Sequence, residues 1–472
     1  MHPDDHVIVI AGATGDLAKR KLLPGLYHLD QAGLLPEHYR IIGSAPHSEA
    51  MSDEDFRKHA RDAVDEFGNK DAKGPEWDAF EARVSFAAAD SSDPSPLVNA
   101  VDEAEKQLGG NVRRLFHLAI QPVAFPSMVT MLGDSGLSKD ARVIIEKPFG
   151  TDLESAKALN ATVHEVFDEA HVFRIDHYLG KETVDNLLAF RFANGLFEPI
   201  WNREYIENVQ IDVPEALSIE GRAAFYEKTG CFRDMVVTHL FQVLGFLAME
   251  EPEKLEADSL RDAKHDVFDA LRPLNPRRVV RGQYDGYRQA DGVAPDSDTE
   301  TFVAVEAQID NTRWRGVPFF LRAGKSLKEG AHSITLELKR PATSIFGELP
   351  RKPHNAITFD LGEPGAIEAT ILAKKPGPDM HLGTGGMTFR YEDSFAVQND
   401  LEGYERLILD AMLGNQTLFT RADSIERLWE VATPLLEHPE PVKPYAQGSW
   451  GPEAADELVA PSHWHVNEYG AL

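Results

Sequence analysis

Short apolar runs alternate with longer amphipathic stretches through the first third of the chain. The apolar runs lie at residues 7–11, 39–45, 84–90, 113–120, 141–150 and 171–180. Helical periodicity follows several of them, at 17–31, from 52 onward, at 94–108 and from 181 onward. Buried strands that alternate with helices are typical of βα units around a parallel sheet covered on both faces. The pattern therefore predicts a doubly wound α/β domain over residues 1–180.

The hydrophobic period changes after about residue 205. Alternate positions are apolar in three segments, at Val303, Val305, Ala307 and Ile309, at Ile334, Leu336 and Leu338, and at Ile367, Ala369, Ile371 and Ala373. Such alternation favours strands with one covered face, as in an antiparallel sheet. Helices are predicted near 230–249, 400–414 and 424–438, and a loop at 290–297. Residues 181–472 are thus predicted to form a larger α+β domain with a mainly antiparallel sheet, after a boundary region at 176–205.

Composition narrows the classes of function. The 48 basic against 77 acidic residues give a net charge of −29, which disfavours nucleic acid or an anionic membrane as a partner. No apolar run reaches the ~18 residues of a membrane span. The N-terminus lacks a basic signal-peptide region, and the single Cys231 cannot form an intrachain disulfide. We therefore expect a cytoplasmic protein, and the His and Cys spacings assign no metal site.

Two glycines stand where the first predicted strand meets the first helix, in the segment 12–18 (GATGDLA). Gly12 and Gly15 would let the backbone approach a pyrophosphate, whose charge would be met by the helix N-terminus. The spacing is a variant of G-x-G-x-x-G, and the Lys-Ser or Lys-Thr of a P-loop is missing. The segment is therefore a candidate dinucleotide site of a Rossmann-like domain. A tight turn that binds nothing is the alternative.

Two further polar clusters follow predicted strand ends, where open α/β sheets bind ligands. Lys147, in residues 146–150 (EKPFG), either contacts a ligand bound at the strand ends or is a surface lysine before a proline turn. Residues 174–182 (RIDHYLGKE) contain Asp176, His177, Tyr178 and Lys181. Lys181 is expected in the first turn of the next helix, where a phosphate would meet an ammonium and backbone amides. The alternatives are Asp176 as a helix N-cap and His177 as a core histidine.

The predicted helix 231–249 is apolar around nearly its whole circumference, so it should be buried. It nevertheless carries Asp234 and His239, which would then need polar partners. Five positions correspond to about 140° around an α-helix, so the two side chains should not pair directly. His239 suits a general base that takes a hydroxyl proton, provided that a carboxylate from elsewhere orients it. A satisfied core histidine is the alternative.

A last cluster, residues 322–330 (RAGKSLKEG), places Lys325 and Lys328 on a turn after an apolar strand. In a chain this acidic, the two lysines are a candidate anion site, and solvated loop lysines are the alternative.

Together and in this order, these motifs resemble those of the glucose-6-phosphate dehydrogenase family, from Gly12 to the C-terminal tail. The resemblance implies oxidation of β-D-glucose 6-phosphate to 6-phosphoglucono-δ-lactone with NADP or NAD, the first step of the oxidative pentose phosphate pathway. It also implies a homodimer or homotetramer formed through the sheet of the second domain. Two alternatives remain open: a sugar oxidoreductase of the glucose–fructose oxidoreductase kind, without a phosphate pocket, and a non-catalytic binding protein of the same fold.

The resemblance further implies roles for individual residues. His239 would remove the C1 hydroxyl proton, and Asp176 would orient His239. The implied substrate-binding residues are His177, Tyr178 and Lys181 at the 6-phosphate, Glu215 and Asp234 at the sugar hydroxyls, Lys325, and Lys147 between substrate and cofactor. The implied cofactor-binding residues are Gly12, Thr14, Gly15, Asp16, Leu17, Ser44, Asp90, Ser91 and Lys147.

Two positions depart from the family pattern. Pro46 stands where NADP-using members usually carry an Arg that grips the 2′-phosphate, so we expect the preference for NADP over NAD to be weakened or reversed. Gly330 stands where some members place a basic residue. Either Lys328 substitutes for that residue, or the phosphate relies on Lys181 and His177.

Overall fold

The computed structural model describes residues 2–219, 221–346, 349, 355–362, 365–395 and 401–470. Contacts divide the chain into two compact units. Unit 1 consists of Met1–Gly180, Glu253–Arg261 and Asn399–Glu426, and unit 2 consists of Lys181–Pro252, Asp262–Gln398 and Arg427–Leu472. Both units are therefore discontinuous along the sequence.

A parallel sheet forms the core of unit 1. Its strands are β1 (His6–Ala11), β2 (Tyr39–Ser44), β3 (Val84–Phe86), β4 (Arg113–Leu118), β5 (Ala141–Ile145) and β6 (Val172–Arg174). They pair in the order β3-β2-β1-β4-β5-β6, and every pair is parallel. Strand β1 is buried throughout, because helices cover both faces of such a sheet. The predicted doubly wound sheet is confirmed, and its order reverses between β1 and β4, where open sheets bind ligands.

Helices connect the strands of unit 1. Their bounds are Ala18–Leu22, Leu23–Gln31, Asp53–Phe67, Gly74–Glu81, Ser95–Leu108, Phe125–Asp134, Leu153–His164 and Gly403–Leu413, with short turns at His47–Glu49, Pro122–Ala124 and Glu169–His171. The helices Ala257–Ala270 and Ala422–Glu437 begin in residues of unit 1 and end in residues of unit 2. The first two segments form one continuous helix, as the periodicity predicts. The sequence pattern did not predict the helices 74–81, 125–134 and 153–164.

A mixed sheet forms the core of unit 2. Its strands are β7 (Ile206–Pro214), β8 (Val279–Tyr284), β9 (Phe302–Gln308), β10 (Pro318–Gly324), β11 (Ser333–Leu338), β12 (Ala356–Asp360), β13 (Ala366–Lys374), β14 (Leu382–Arg390) and β15 (Lys443–Tyr445). They pair in the order β14-β13-β12-β11-β7-β10-β9-β8-β15. Only the pairs β7–β10 and β8–β15 are parallel among the described residues, so the mainly antiparallel sheet is confirmed.

The expectation of one covered face is wrong for β11. In β11 the intervening Thr335 and Glu337 are buried as well, whereas in β9 the intervening Glu306 is half-buried and Gln308 is exposed. Alternation therefore understated the burial of β11, and helical segments such as Phe232–Leu240 and Ala454–Val459 pack on other strands of the sheet. Strand β14 is mostly exposed.

The remaining helices of unit 2 are Glu182–Phe192, Tyr391–Ser394 and His465–Tyr469, with Ala454–Val459 and short turns at Glu198–Ile200, Pro276–Arg278 and Tyr287–Gln289. The long helical stretch Ala223–Ala248 is apolar enough to pass a composition test for a membrane span, but 83% of its most apolar window is buried inside the folded chain. This is the behaviour of a core helix, and it confirms the predicted buried helix. A break at Gly230 (φ 65) starts a new helical run at Cys231, where the Glu300 carboxylate accepts from the Phe232 amide. Segment 290–297 is a loop, as predicted.

Candidate active-site residues

The turn between β1 and the first helix has the form that a pyrophosphate requires. Gly12 has φ +84, and a Cβ atom there would lie 2.3 Å from the Ala119 carbonyl oxygen, so only glycine fits. The amides of Gly12 and Ala13 donate to the Ser44 carbonyl at 2.8 and 3.0 Å. Ser44 is buried, and it holds the turn from the end of β2. A helix follows directly, so its N-terminal amides and dipole can meet an anion.

Side chains of the other predicted cofactor residues are engaged locally. The Thr14 hydroxyl donates to Glu49 at 2.5 Å, and exposed Asp16 pairs with Arg20 at 2.7 Å. After β3, one oxygen of Asp90 accepts from the amide and hydroxyl of Ser92, and these bonds lower the pKa of Asp90. Asp90 therefore stabilises the turn that also carries Ser91. Leu17 lies at the start of the helix.

A buried polar network lies at the ends of β4 and β5. The Nε2 atom of His117 lies 2.7 Å from one oxygen of Glu146, and the Tyr404 hydroxyl donates to the other at 3.2 Å. Burial and the negative charge of Glu146 raise the pKa of Tyr404. Lys147 follows this anchored glutamate and is half-buried. The sequence motifs did not single out His117 or Tyr404, although His117 lies near the carboxyl end of a predicted strand.

The segment after β6 forms a tight polar turn. Asp176 is fully buried, and its Oδ1 atom accepts from the Tyr178 amide at 2.9 Å. The half-buried ring of His177 lies parallel to Tyr404, with ring centroids 6.4 Å apart. The helix Glu182–Phe192 has Lys181 as its N-cap residue. The placement of Lys181 in the first helical turn and the alternative of Asp176 as N-cap are therefore both wrong, because the chain makes an extra turn before the helix starts.

Asp234 and His239 lie on a π-helical segment, Phe232–Leu240. At its end the Phe241 amide donates to the carbonyl of Val236, five residues back. The predicted angle of 140° between Asp234 and His239 holds for an α-helix. In a π-helix, with i→i+5 hydrogen bonds, residues five positions apart are separated by about one turn. His239 is only 1% exposed, as predicted, but Asp234 is half-buried rather than buried. Such π-helical turns are frequent at functional sites.

Two predicted substrate residues of unit 2 form an ion pair. The Lys325 ammonium donates to Glu215 at 2.5 Å. The Lys181 ammonium donates to the Leu361 carbonyl at 3.1 Å. The amide of Leu361 donates to the His332 carbonyl.

The charges of Lys181 and Lys325 both act on His332. Burial lowers the pKa of His332 to about 4, and the two ammonium groups act in the same direction. The charge of Asp360 opposes them. Both ammonium groups therefore act on the charge of His332, although Glu215 pairs with Lys325. Sequence reasoning missed His332 because no motif contains it. The Lys328 ammonium lies 5.5 Å from the centroid of the Trp450 ring, so its charge is engaged there.

The predicted residues belong to both units. Lys147, Asp176, His177 and Tyr178 lie in unit 1, and Lys181, Glu215, Asp234, His239 and Lys325 lie in unit 2. The structure gives the local geometry of each set, and the pairing of Asp176 with His239 stays a prediction.

Comparison with known proteins identifies the family of the chain. Residues 9–186 match the family model "Glucose-6-phosphate dehydrogenase, NAD binding domain", and residues 188–466 match "Glucose-6-phosphate dehydrogenase, C-terminal domain". A glucose-6-phosphate 1-dehydrogenase of Rhizobium meliloti is 39% identical over 97% of this chain and 96% of that protein. The cytoplasmic glucose-6-phosphate 1-dehydrogenase 6 of Arabidopsis thaliana is 38% identical over 96% of this chain and 90% of that protein.

Solved structures agree with these sequence matches. A glucose-6-phosphate dehydrogenase in complex with its substrate has a TM-score of 0.91 and 35% identity, over 98% of this chain and 99% of the other. The enzyme from Mycobacterium avium has a TM-score of 0.87 and 37% identity, with 98% of each chain covered. Since both family models and full-length relatives match in the same order along the sequence, the chain belongs to the glucose-6-phosphate dehydrogenase family.

Proposed function

We propose that the protein oxidises β-D-glucose 6-phosphate at C1 to 6-phosphoglucono-δ-lactone, the first step of the oxidative pentose phosphate pathway. Family membership over both halves of the chain supports this activity. The observation that carries it is the full-length match to enzymes named glucose-6-phosphate 1-dehydrogenase. Lys181 and Lys325 support it further, because ammonium groups suit a phosphate dianion, which an unphosphorylated sugar would not supply. A bound nicotinamide dinucleotide would supply the acceptor for the hydride of C1.

His239 is the proposed general base. It takes the proton of the C1 hydroxyl, which pushes electron density onto C1 and assists hydride departure. Asp176 is proposed to orient the His239 ring and stabilise the imidazolium that forms. The burial of both side chains supports these roles, because the interaction between a carboxylate and an imidazolium is stronger in a buried site of low dielectric than in water.

The proposed substrate contacts fall into two groups. His177, Tyr178 and Lys181 hold the 6-phosphate, with Lys325 as a further cation. Glu215 and Asp234 accept hydrogen bonds from sugar hydroxyls, as ionised carboxylates can. The pair between Glu215 and Lys325 supports this arrangement, because it fixes the ammonium before substrate arrives.

The proposed cofactor is NADP or NAD, held at its pyrophosphate by the turn from Gly12 to Leu17 and flanked by Ser44, Asp90, Ser91 and Lys147. The position of Gly12, which cannot carry a side chain, and the helix that follows support this assignment. Pro46 removes a guanidinium from the end of β2, so we propose that NADP preference is weakened or reversed. A preference for NADP above about 100-fold in kcat/KM would contradict this.

We also infer a homodimer or homotetramer and a cytoplasmic location. The mostly exposed strand β14 stands last in the strand order of the unit 2 sheet, and this supports association, because an edge strand can pair with another chain. The Arabidopsis relative that is named cytoplasmic supports the location. Size-exclusion chromatography with light scattering measures the oligomeric state.

The decisive assay follows reduction of NADP+ and NAD+ in parallel, with glucose 6-phosphate and with glucose. Reduction that depends on glucose 6-phosphate supports the proposal. Equal turnover of unphosphorylated glucose would instead favour an oxidoreductase of the glucose–fructose kind. Inactive but folded protein would favour a non-catalytic binding protein.

A further inference from the structure

The carboxylate of Glu49 lies beside the dinucleotide turn. Glu49 ends the short helical turn His47–Glu49, which follows β2, and its Oε2 atom accepts from the Thr14 hydroxyl at 2.5 Å. Thr14 is half-buried and Glu49 is exposed. A carboxylate offers about four acceptor positions, so one bond to Thr14 leaves others for a ligand.

Backbone hydrogen bonds fix the two segments that carry Thr14 and Glu49. The dinucleotide turn after β1 is joined to the end of β2 through the Ser44 carbonyl, which accepts from the amides of Gly12 and Ala13. The Glu49 amide donates to the Pro46 carbonyl at 2.8 Å, which fixes the chain beyond β2. Glu49 and the pyrophosphate turn therefore form one local structure within unit 1.

In dinucleotide-binding folds of this order, the region after β2 meets the adenosine ribose. An acidic side chain there accepts hydrogen bonds from the ribose hydroxyls of NAD, and the same charge repels the 2′-phosphate of NADP. We propose that Glu49 is a specificity-determining residue that binds the adenosine ribose and favours NAD over NADP. This inference rests on the proposed function, and it assigns a residue that actively disfavours the 2′-phosphate, beyond the loss of a clamp at Pro46.

The cations around the turn strengthen this argument, because carboxylates already engage them. Lys19 pairs with Glu66 at 2.7 Å, Arg20 with Asp16 at 2.7 Å, and Lys21 with Glu402 at 2.6 Å. His47 lies 3.9 Å from the Asp93 carboxylate. A 2′-phosphate that recruited one of these cations would compete with its carboxylate partner, and it would also meet the charge of Glu49.

A charge series at position 49 tests the proposal. Dissociation constants of NAD+ and NADP+ are measured by titration calorimetry on the full-length protein carrying Glu49, Glu49→Gln or Glu49→Lys. Adenosine 2′,5′-bisphosphate and AMP serve as shorter probes of the same difference. We expect the ratio of the NADP+ to the NAD+ constant to fall by about tenfold at each step. The kcat/KM ratios with glucose 6-phosphate should follow the same order.

The matched controls are Glu54→Gln and Glu54→Lys, which make the same charge changes at an exposed position in the next helix. They should shift the ratio by less than about twofold. If the Glu49 variants change both constants equally, or if the Glu54 series gives the same shift, the assignment of Glu49 is wrong while the proposed function stands. If the unaltered protein binds neither dinucleotide and does not oxidise glucose 6-phosphate, both are wrong.

Discussion

The Nζ atom of Lys325 lies 2.5 Å from a carboxylate oxygen of Glu215, although 110 positions separate the two residues. The parallel pairing of β10 with β7 explains this contact, because Gly324 lies opposite Pro214 in the register and each residue of the ion pair follows its strand directly. The Glu215 amide also donates to the Gly324 carbonyl at 2.8 Å. The parallel pairing thus places the ammonium and the carboxylate side by side at the carboxyl ends of these two strands.

Removing the Lys325 ammonium should weaken substrate binding more than chemistry. For Lys325→Gln we expect KM for glucose 6-phosphate to rise by roughly 10- to 100-fold, since a charged hydrogen bond contributes about 1.5–3 kcal/mol. Glu215→Gln keeps an acceptor for Lys325, so its KM should rise less. Steady-state kinetics measures both, with exposed Lys443→Gln as the control. A KM for Lys325→Gln equal to that of the control would exclude a substrate contact.

Replacing His239 should affect the chemical step. His239→Asn should lower kcat by roughly 10²- to 10⁴-fold, the usual contribution of a general base. KM should change little, because the imidazole acts mainly in the transition state. Steady-state kinetics of the folded variant measures both constants. His438→Asn, at an exposed histidine, is the matched control, and a His239→Asn variant with the same kcat as this control would contradict the assignment.

Arg322 should be essential for stability rather than for catalysis. It is fully buried, and its guanidinium donates to both oxygens of buried Asp212, at 2.8 and 2.5 Å. Arg322→Met would leave the Asp212 charge unpaired in the core, at a cost of about 3–5 kcal/mol. We expect a marked drop in Tm by differential scanning fluorimetry, partly recovered in a double variant with Asp212→Leu. An unchanged Tm for Arg322→Met would show that the pair is dispensable.

Two buried histidines should make the fold sensitive to acid. Burial lowers the pKa of His6 and of His465 from 6.5 to about 4. Between these values the unfolded chain binds a proton that the folded chain excludes, so stability rises with pH and falls as pH drops from about 6.5 to 4. The shift of 6.5 − 4 = 2.5 corresponds to roughly 3 kcal/mol for each histidine at the acidic end.

Thermal unfolding from neutral pH down to about pH 4 measures this effect. His465→Gln cannot take up the proton, so its Tm should fall less steeply with acid than that of the unaltered protein. Parallel Tm curves for the two proteins would show that His465 does not contribute.

The sequence alone determined the doubly wound sheet of unit 1, the mainly antiparallel sheet of unit 2 and the family. These rest on local signals: apolar runs between helices, alternation along strands, and motifs such as Gly12–Gly15 at a strand end. For residues 232–240 the hydrophobic spacing predicted an α-helix, whereas the structure has a π-helix. Hydrophobic spacing alone does not reveal a π-helical turn.

Only the tertiary structure decided which polar side chains meet. It joined Glu215 to Lys325, Glu49 to Thr14, and Glu146 to both His117 and Tyr404. Each contact links residues that are distant in sequence, so it depends on strand register and on turns beyond the strands. A side-chain motif specifies the chemistry that a residue can perform, whereas its partner and charge environment follow from the packing of the whole unit.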